Sequence, residues 1–562
     1  MFPPANAAGK PPTPRLGTPD NDTRYFPTTT KMNSKPQSKS TRFRFLKAGA
    51  RPSLWILLLI ACLSVAALFG LQYEKTLNLM DEGYLWYGAQ RTALGEVPLR
   101  DFMSYDSGRY YLSAAYMVLV GDRGIVPLRV VLALVQAAGL VAALSVLAKA
   151  FKQREPIFLV LAMAVILTWM VPRHKMFDIS TSIALIAALS WLLEKPSSQR
   201  WFVGGVVVGL AAMIGRNHGI YGAISFAMAL ILCAVADRDF SRARVHAVAW
   251  VMGLVAGYSP VLITMAIVPG FAEAFWHSIQ FLFQQKATNI PIPVPWPWQA
   301  FAGSTGIVDM TEKFLIGVFF LSLLVSAVVA PAGILRNGAT AITTKPQLAA
   351  SSLLVLPYTH FAFSRADVAH LAQGIFPMLI VAFILLQSTS LLTKWILAVA
   401  LLAASLLATS SLHPVWQCRA ASQCVPTQIS GTRLLLPKET AKDVHTILDL
   451  AERYTPDAGA ILATPFLPGV YALLERKSPV WEIYALFPRS PEFELQEIER
   501  IRQTWPHLVI VNKTGPGGQE RAFFKTHPLT QKFIEDHYEY RPQFSDTKFL
   551  VYTREPPQSG KR

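Results

Sequence analysis

Eleven stretches of this sequence are too apolar, over too many residues, to sit in water. They are roughly 54–72, 126–148, 156–171, 177–194, 201–215, 219–236, 246–268, 314–335, 347–363, 369–387 and 395–412. A helix needs about 20 mostly apolar residues to cross a bilayer, so a chain with this many such runs threads the membrane repeatedly. Composition agrees: 52% of the 562 residues are hydrophobic and only 15% charged, against roughly 25% charged in a soluble domain. Some runs are short, and the break at Arg216, Asn217, His218 and Gly219 suits a kinked or re-entrant segment. The expectation is a polytopic α-helical membrane protein with about 11 transmembrane helices.

A net charge of +17 could suggest a nucleic-acid partner, but its distribution excludes that class. Residues 1–53 hold ten Lys and Arg against two acids, and the other basic residues lie mostly in short loops between apolar runs. That pattern is a topology signal. With the Pro-, Ser- and Lys-rich tail 1–53 read as a disordered cytoplasmic segment, Lys149, Lys152, Arg154, Lys195, Arg200, Arg238, Arg242, Arg244, Arg336, Lys345 and Lys394 all fall inside. Three regions are then outside: 73–125, 269–313 and everything after about 413. The first apolar run reads as a signal-anchor helix rather than a cleaved signal peptide.

The outer regions are not simple coil. Tyr110 to Val120 is apolar and aromatic but too short to span, as expected of a helix lying in the interface. Pro291 to Trp298 alternates proline with apolar residues, predicting a stiff extended segment with interfacial tryptophans. It is equally a wall over a site or a membrane anchor. After a connector at 413–429, residues 430–562 carry more charge. Helices are expected at 439–454 and 491–505, and strands at 458–463, 508–512 and 549–552, which makes a small extracytoplasmic α/β domain. Gly515 to Gly518 lacks a phosphate-loop pattern and reads as a turn. Cys62 and Cys233 sit within apolar runs; Cys418 and Cys424 flank a short polar stretch, where a disulfide is one option.

The loop at 73–125 also gathers acids just outside the first span. Asp81 and Glu82 are adjacent, Asp101 and Asp106 follow, and then Arg109, Tyr110 and Tyr111. Acids clustered at a membrane face usually handle a proton, an ion or a polar substrate. Cations stand at the outer ends of other spans: Arg173, His174 and Lys175; Arg216 and His218; Arg365 and His370, with Asp367 between them. The positive-inside bias does not call for cations there, and an anionic partner does. Each one alone could instead be snorkelling at a helix end.

Sugar transfer from a lipid-linked donor needs both kinds of group. The acceptor hydroxyl requires a base, which a carboxylate can supply, and the departing phosphate requires cations or a metal. Asp81 is the candidate base, its other reading being a helix N-cap. Glu82 either binds a metal or positions Asp81. Asp101, Asp106, Arg109, Tyr110, Lys175, Arg216, His218, Arg365, Asp367 and His370 are candidates for substrate binding. For Asp106 a turn, and for Tyr110 interface packing, are the plainer readings. No cofactor is firmly indicated; a divalent metal on Glu82, His218 and His370 is an open option without close ligand spacing.

These residues carry a resemblance. Asp81-Glu-Gly-Tyr84, Gly95-Glu-Val-Pro98, Asp101-Phe102 and Gly108-Arg-Tyr-Tyr111 look like the first outer loop of GT-C membrane glycosyltransferases. They are most similar to the family 39, dolichyl-phosphate-mannose-protein-mannosyltransferase-like branch. Pro127-Leu-Arg129 and Arg216-Asn-His-Gly-Ile-Tyr221 fit as well, and Arg365-Ala-Asp-Val-Ala-His370 resembles a motif of some bacterial members. The resemblance covers about 54–412. It implies a polyprenyl-phosphate sugar donor, an inverting transfer on the outer face, and a catalytic acid at Asp81. The chain departs from the wider family at Ser107-Gly108, where a proline is usual, and its C-terminal domain is not a family hallmark.

The expected partners are therefore a polyprenyl-phosphate sugar, an acceptor that is a lipid, a glycan or a protein, and membrane lipid, with no nucleic acid. The expected location is a bacterial inner membrane, with the N-terminus cytoplasmic and the C-terminal domain periplasmic. The competing reading is a transporter or flippase of a lipid-linked saccharide. That reading calls for paired halves and ionisable residues at the bilayer midplane, and no matching half is visible.

Overall fold

The computed structural model describes residues 52–151, 155–284, 289–338, 340–420, 423–515 and 518–554. The basic tail up to Arg51, with Lys152 and Arg154, lies outside them.

Each of the eleven apolar stretches is helical. Leu54–Gln72 shows why: Ser53 caps it by accepting from the Ile56 N–H at 3.3 Å, and nineteen uncharged residues follow. At 1.5 Å rise per residue that is about 28 Å, close to the hydrocarbon thickness of a bilayer. Seven described helices are long and apolar enough to cross: Leu54–Gln72, Ile125–Ala150, Arg173–Glu194, Arg216–Asp237, Phe240–Ile267, Ile307–Arg336 and Leu391–Leu412. A further apolar pair, Val368–Gly374 and Phe376–Leu386, is bent by 59°, as in a broken span or a re-entrant loop. Pro156–Trp169 and Ser198–Ile214 are apolar but shorter. Pro346–Ser364 is interrupted by Pro357. The chain is thus a polytopic α-helical membrane protein, with fewer full-length spans than apolar segments.

Packing between the Ser198–Ile214 and Phe240–Ile267 helices relies on absent side chains. Gly205 and Gly209 face Gly253 and Gly257. A Cβ on any of the four would strike backbone of the opposite helix: Trp250 for Gly205, Leu254 for Gly209, Phe202 for Gly253 and Val206 for Gly257. This four-residue spacing of small residues lets two membrane helices approach to backbone contact.

Charged groups sort to two ends. At one, Lys149 pairs with Glu194, Gln347 donates to the same Glu194, and Lys394 pairs with Glu155. At the other lie the loop after the first span, Arg173 and Arg365, and a small sheet domain covers them.

That domain contains the two helices and three strands expected, and adds a third helix, a short strand and a hairpin that begins within the expected connector. Its helices are Lys438–Tyr454, Pro491–Thr504 and Pro528–His537. A hairpin comes first, β1 (Cys424–Ile429) antiparallel to β2 (Thr432–Pro437). It turns at Ser430 and Gly431, whose φ values of 45° and 78° suit a two-residue hairpin turn. Strands β3 (Ile461–Thr464), β4 (Leu508–Asn512), β5 (Glu539–Tyr540) and β6 (Phe549–Thr553) form one sheet in the order β3-β4-β6-β5. The β3–β4 pair is parallel and the other pairs are antiparallel. Cys418 and Cys424 are joined by a disulfide just ahead of the hairpin.

The domain is locked to the loop after the first span. Thr76 N–H donates to Leu435 C=O and Leu435 N–H to Glu74 C=O, both at 2.8 Å, so the loop runs beside β2. Gly469 N–H donates to Leu79 C=O at 2.8 Å. Trp481 donates from Nε1 to Leu99 C=O at 3.0 Å, and Met103 N–H to Trp481 C=O at 2.9 Å. The second outer region, expected as loop, contains the helix Phe271–Gln284. Its Phe281 packs on Trp481 and Phe493, and Arg489 lies 4.8 Å over the Phe281 ring. The helix Gly108–Val120 leaves Val118 and Leu119 exposed, as an interfacial helix does.

The tightest point of this docking is Gly83 against Gly469. A Cβ on Gly83 would sit 2.5 Å from the Gly469 backbone. Gly83→Ala should therefore destabilise the protein by about 1–3 kcal/mol and expose the C-terminal half to limited proteolysis. Thermal unfolding in detergent or nanodiscs checks this, and an unchanged melting temperature would contradict the close packing.

Candidate active site

The site begins with the turn that starts the Asp81–Ala93 helix. Asn78 Oδ1 accepts from the N–H groups of Met80 and Asp81, at 2.8 and 3.0 Å. This satisfies backbone donors that a helix start leaves open. Asp81 is thereby relieved of capping, and its carboxylate makes no hydrogen bond or ion pair among the described residues.

Glu82 is used differently. Successive residues on a helix stand about 100° apart, so one of two adjacent acids turns inward. Its carboxylate meets Arg129 at 2.9 and 3.0 Å, and Arg173 at 3.5 Å. Arg129 also donates to the carbonyls of Tyr73 and Thr76, and Arg173 to those of Gln72 and Lys75. Glu82 and Arg129 are 3% and 1% exposed. Burial acts to raise the Glu82 carboxyl, but the Arg129 and Arg173 charges and the Arg129 hydrogen bond outweigh it and hold it at about 2. Glu82 is therefore committed to this pair, as the brace of the loop rather than a free acid.

Asp81 opens onto a cavity of about 440 Å³ between the membrane helices and the sheet domain. The membrane side contributes Asp81, His174, Lys175, Arg365, Asp367 and His370; the domain contributes Thr440, Asp443, Asn512 and Lys548. Among the described residues Lys175 has no carboxylate partner; its Nζ lies 3.5 Å from the Tyr105 hydroxyl and 5.3 Å from that ring. Arg365 pairs with Asp367 at 2.6 Å, and Asp367 also accepts from His370. Burial tends to raise the Asp81 carboxyl, yet His174, Lys175, Arg365 and His370 together draw it below its ordinary value. Asp367 is held at about 2, its burial outweighed by His370 and Arg365. The cavity thus carries cations together with a carboxylate that none of them binds directly.

Six residues singled out in the sequence lie elsewhere, because each is used in an internal contact. Asp101 pairs with Arg100 at 2.8 Å and accepts from Val97 N–H. Asp106 pairs with Arg216 at 2.6 Å and accepts from its backbone N–H, pinning the first loop to the break before the Arg216–Asp237 helix. Arg109 grips Asp178 through two bonds of 3.1 and 3.0 Å and donates to Ile214 C=O. His218 meets the same Asp178 at 3.0 Å and the Tyr358 hydroxyl at 2.7 Å. Tyr110 is fully buried, its hydroxyl accepting from Tyr105 N–H. None of the six lines the cavity. The suggested metal set does not converge either: Glu82 goes to arginines, His218 to Asp178 and His370 to Asp367. Among the described residues no group of three or more metal-binding side chains is formed.

Two features escaped the sequence reading. Asp178 was overlooked, although an acid inside an apolar span signals a buried partner. The domain's share of the cavity wall had no sequence signal, since it depends on how two distant regions dock.

No family model matches this sequence, nor does any curated protein. Solved structures do. ArnT from Cupriavidus metallidurans bound to undecaprenyl phosphate aligns with a TM-score of 0.52 at 12% identity, covering 90% of this chain and 99% of that one. The apo state of the same protein gives 0.53 at 13% over the same shares. The Archaeoglobus fulgidus oligosaccharyltransferase tethered with an acceptor peptide gives 0.45 at 12%, over 90% and 75%, too low a score to carry an argument. The chain has the GT-C membrane glycosyltransferase fold. The likeness does not single out the family 39 branch.

The Glu82 brace yields a prediction. A carboxyl lowered from 4.5 to about 2 adds stability that is complete above pH 4.5 and is lost as pH falls toward 2. Glu82→Gln leaves two buried guanidinium groups short of a partner and should cost about 3–5 kcal/mol at neutral pH. It should also flatten the loss of melting temperature between pH 4.5 and 2. Equal melting curves for the two proteins at every pH would refute the brace.

Proposed function

We propose that this protein is a glycosyltransferase that moves a sugar from a polyprenyl-phosphate donor to an acceptor hydroxyl at the extracytoplasmic face of a bacterial inner membrane. The observation that carries the reading is the unpaired Asp81 carboxylate in a cavity it shares with Lys175, Arg365 and His174. The ArnT structure with undecaprenyl phosphate supports the class of donor through its fold.

In this reading the lipid tail stays among the membrane helices and its phosphate lies at the cavity's membrane side. Lys175 is the main phosphate ligand, since no carboxylate neutralises it. Arg365 contributes at longer range, its charge shared with Asp367. Cations placed where negative charge grows on the departing phosphate stabilise the transition state more than the ground state.

Asp81 accepts the proton of the acceptor hydroxyl as it attacks the anomeric carbon opposite the phosphate, so the configuration inverts. The surrounding cations keep Asp81 ionised and ready to accept, and they also make it a weak base. A weak base suffices if the proton moves late, once the carbon–phosphate bond has largely broken and the attacking oxygen has become acidic. Glu82 is a positioning residue that fixes the helix start from which Asp81 projects. Arg109, Asp178, His218 and Tyr358 hold the 105–110 turn and with it Tyr105, on which Lys175 rests.

The test is transfer in membranes or nanodiscs from undecaprenyl-phosphate sugars. Asp81→Asn should lower kcat by about 10²–10⁴ while leaving donor binding in place. Lys175→Ala should weaken binding of undecaprenyl phosphate by about 10- to 100-fold. Wild-type rates in Asp81→Asn would remove the base. Movement of a lipid-linked saccharide across the bilayer without transfer would replace the enzyme by a transporter.

A further inference from the structure

The sheet domain supplies the cavity's far wall, and one group there is conspicuously unused. Asn512 is the last residue of β4 and lines the cavity half-buried, while its Oδ1 is enclosed and has no hydrogen-bond partner among the described residues. A buried carbonyl left unpaired costs free energy. A half-turn of the amide exchanges its oxygen and nitrogen, and a ligand that then donates to the carbonyl from the cavity accounts for it.

Its position has a topological reason. β3 and β4 run parallel, and both carboxyl ends reach the cavity: Asn512 ends β4, and Leu467 lies just beyond β3. In open α/β sheets, ligands bind outside the carboxyl ends of the strands, where backbone and side-chain groups face away from the sheet's own pairing. Antiparallel β6 begins at Phe549, opposite Asn512, which sets Lys548 beside it. Lys548 pairs with Asp443 of the Lys438–Tyr454 helix, and Thr440 comes from the first turn of that helix. The wall therefore offers an amide, a hydroxyl, a carboxylate and an ammonium group side by side. None of the strong cation excess of the membrane side is repeated here, because Lys548 is neutralised by Asp443.

We infer that Asn512, Thr440, Asp443 and Lys548 form a sugar subsite, which recognises the hydroxyl groups of the sugar on the donor. The inference rests on the donor class proposed above and adds where the sugar is read. A mixed set of neutral and paired polar groups matches several hydroxyls, each both donor and acceptor, better than it matches a phosphate. The phosphate belongs to Lys175 on the opposite wall. The sugar is thus held between the two, with Asp81 on the membrane side. Specificity follows the same logic: a wall built to bond a hydroxyl rejects a sugar that lacks it, since the polar groups that the bound sugar covers are then left unpaired.

Asn512→Leu is the discriminating variant, because it removes the orphaned acceptor at nearly constant volume. A merely structural asparagine would show itself as a fall in melting temperature. The full-length protein in nanodiscs is titrated with undecaprenyl phosphate, and with undecaprenyl phosphate carrying mannose, glucose, N-acetylglucosamine or a pentose. The expected result is that at least one sugar-bearing lipid binds more tightly than the bare lipid. In Asn512→Leu that advantage falls by about 3- to 10-fold, with bare-lipid affinity and melting temperature unchanged. The subsite is overturned if the advantage survives in Asn512→Leu, if both lipids weaken equally, if no sugar adds affinity, or if only the KM for the acceptor moves. Loss of all Lys175-dependent binding of bare undecaprenyl phosphate in the wild type would instead overturn the donor reading and the subsite with it. Intact bare-lipid binding together with an indifferent Asn512→Leu overturns the subsite alone.

Discussion

The buried contact between Glu82 and Arg129, with Arg173 behind it, is the constraint from which the site follows. It joins three elements that sequence alone keeps apart: the loop leaving the first span, the head of the Ile125–Ala150 helix and the start of the Arg173–Glu194 helix. A carboxylate in such surroundings is tolerable only because two guanidinium groups meet it and spend their remaining donors on backbone carbonyls of the same loop. The result is a stiff rim at the membrane surface. Asp81 stands one residue earlier on that rim, half-buried at the cavity and without a hydrogen-bond or ion-pair partner among the described residues. Two neighbouring acids thus divide into a structural group and a reactive one through helix geometry.

A second charged chain repeats this logic deeper in the helices. Asp178 takes Arg109 on one side and His218 on the other, and His218 reaches Tyr358. Its members come from four separate helices. Nothing in it lines the cavity, yet Arg109 lies 4.9 Å from the centre of the Tyr105 ring, and the Lys175 ammonium lies 5.3 Å from the same centre. The cation that faces the cavity is therefore seated on an aromatic ring held by charges that do not face it. Unpaired charge is concentrated where a substrate can use it.

The membrane architecture was legible because bilayer hydrophobicity writes itself directly into residue type. Leu54–Gln72 appears with the bounds read from its sequence, and the two helices and three strands expected in the C-terminal domain lie within a few residues of their expected bounds, whereas the β1–β2 hairpin, the Pro528–His537 helix and β5 were not expected. Asp81, Lys175, Arg365 and His370 could be picked out as charges at outer helix ends. What the sequence did not carry was pairing. Arg109, Arg216 and His218 look identical to Lys175 on paper, and they differ only in having Asp178 and Asp106 within reach. The glycine seam at Gly205, Gly209, Gly253 and Gly257 went unremarked, since small residues in apolar runs lack contrast. The domain's docking through Gly83 and Gly469 is a backbone-to-backbone contact between residues almost 400 positions apart, for which composition offers no cue.

The account stands on one spatial claim: a phosphate enters the cavity beside Lys175 and comes within reach of chemistry at Asp81. An experimental structure of the full-length protein in nanodiscs with undecaprenyl phosphate bound tests it most directly. The account predicts phosphate density against Lys175, on the Arg365 side, with the Asp81 carboxylate across the same space and Glu82 still held by Arg129. Phosphate density at the opposite membrane face, or in a pocket that Asp81 does not line, would contradict it.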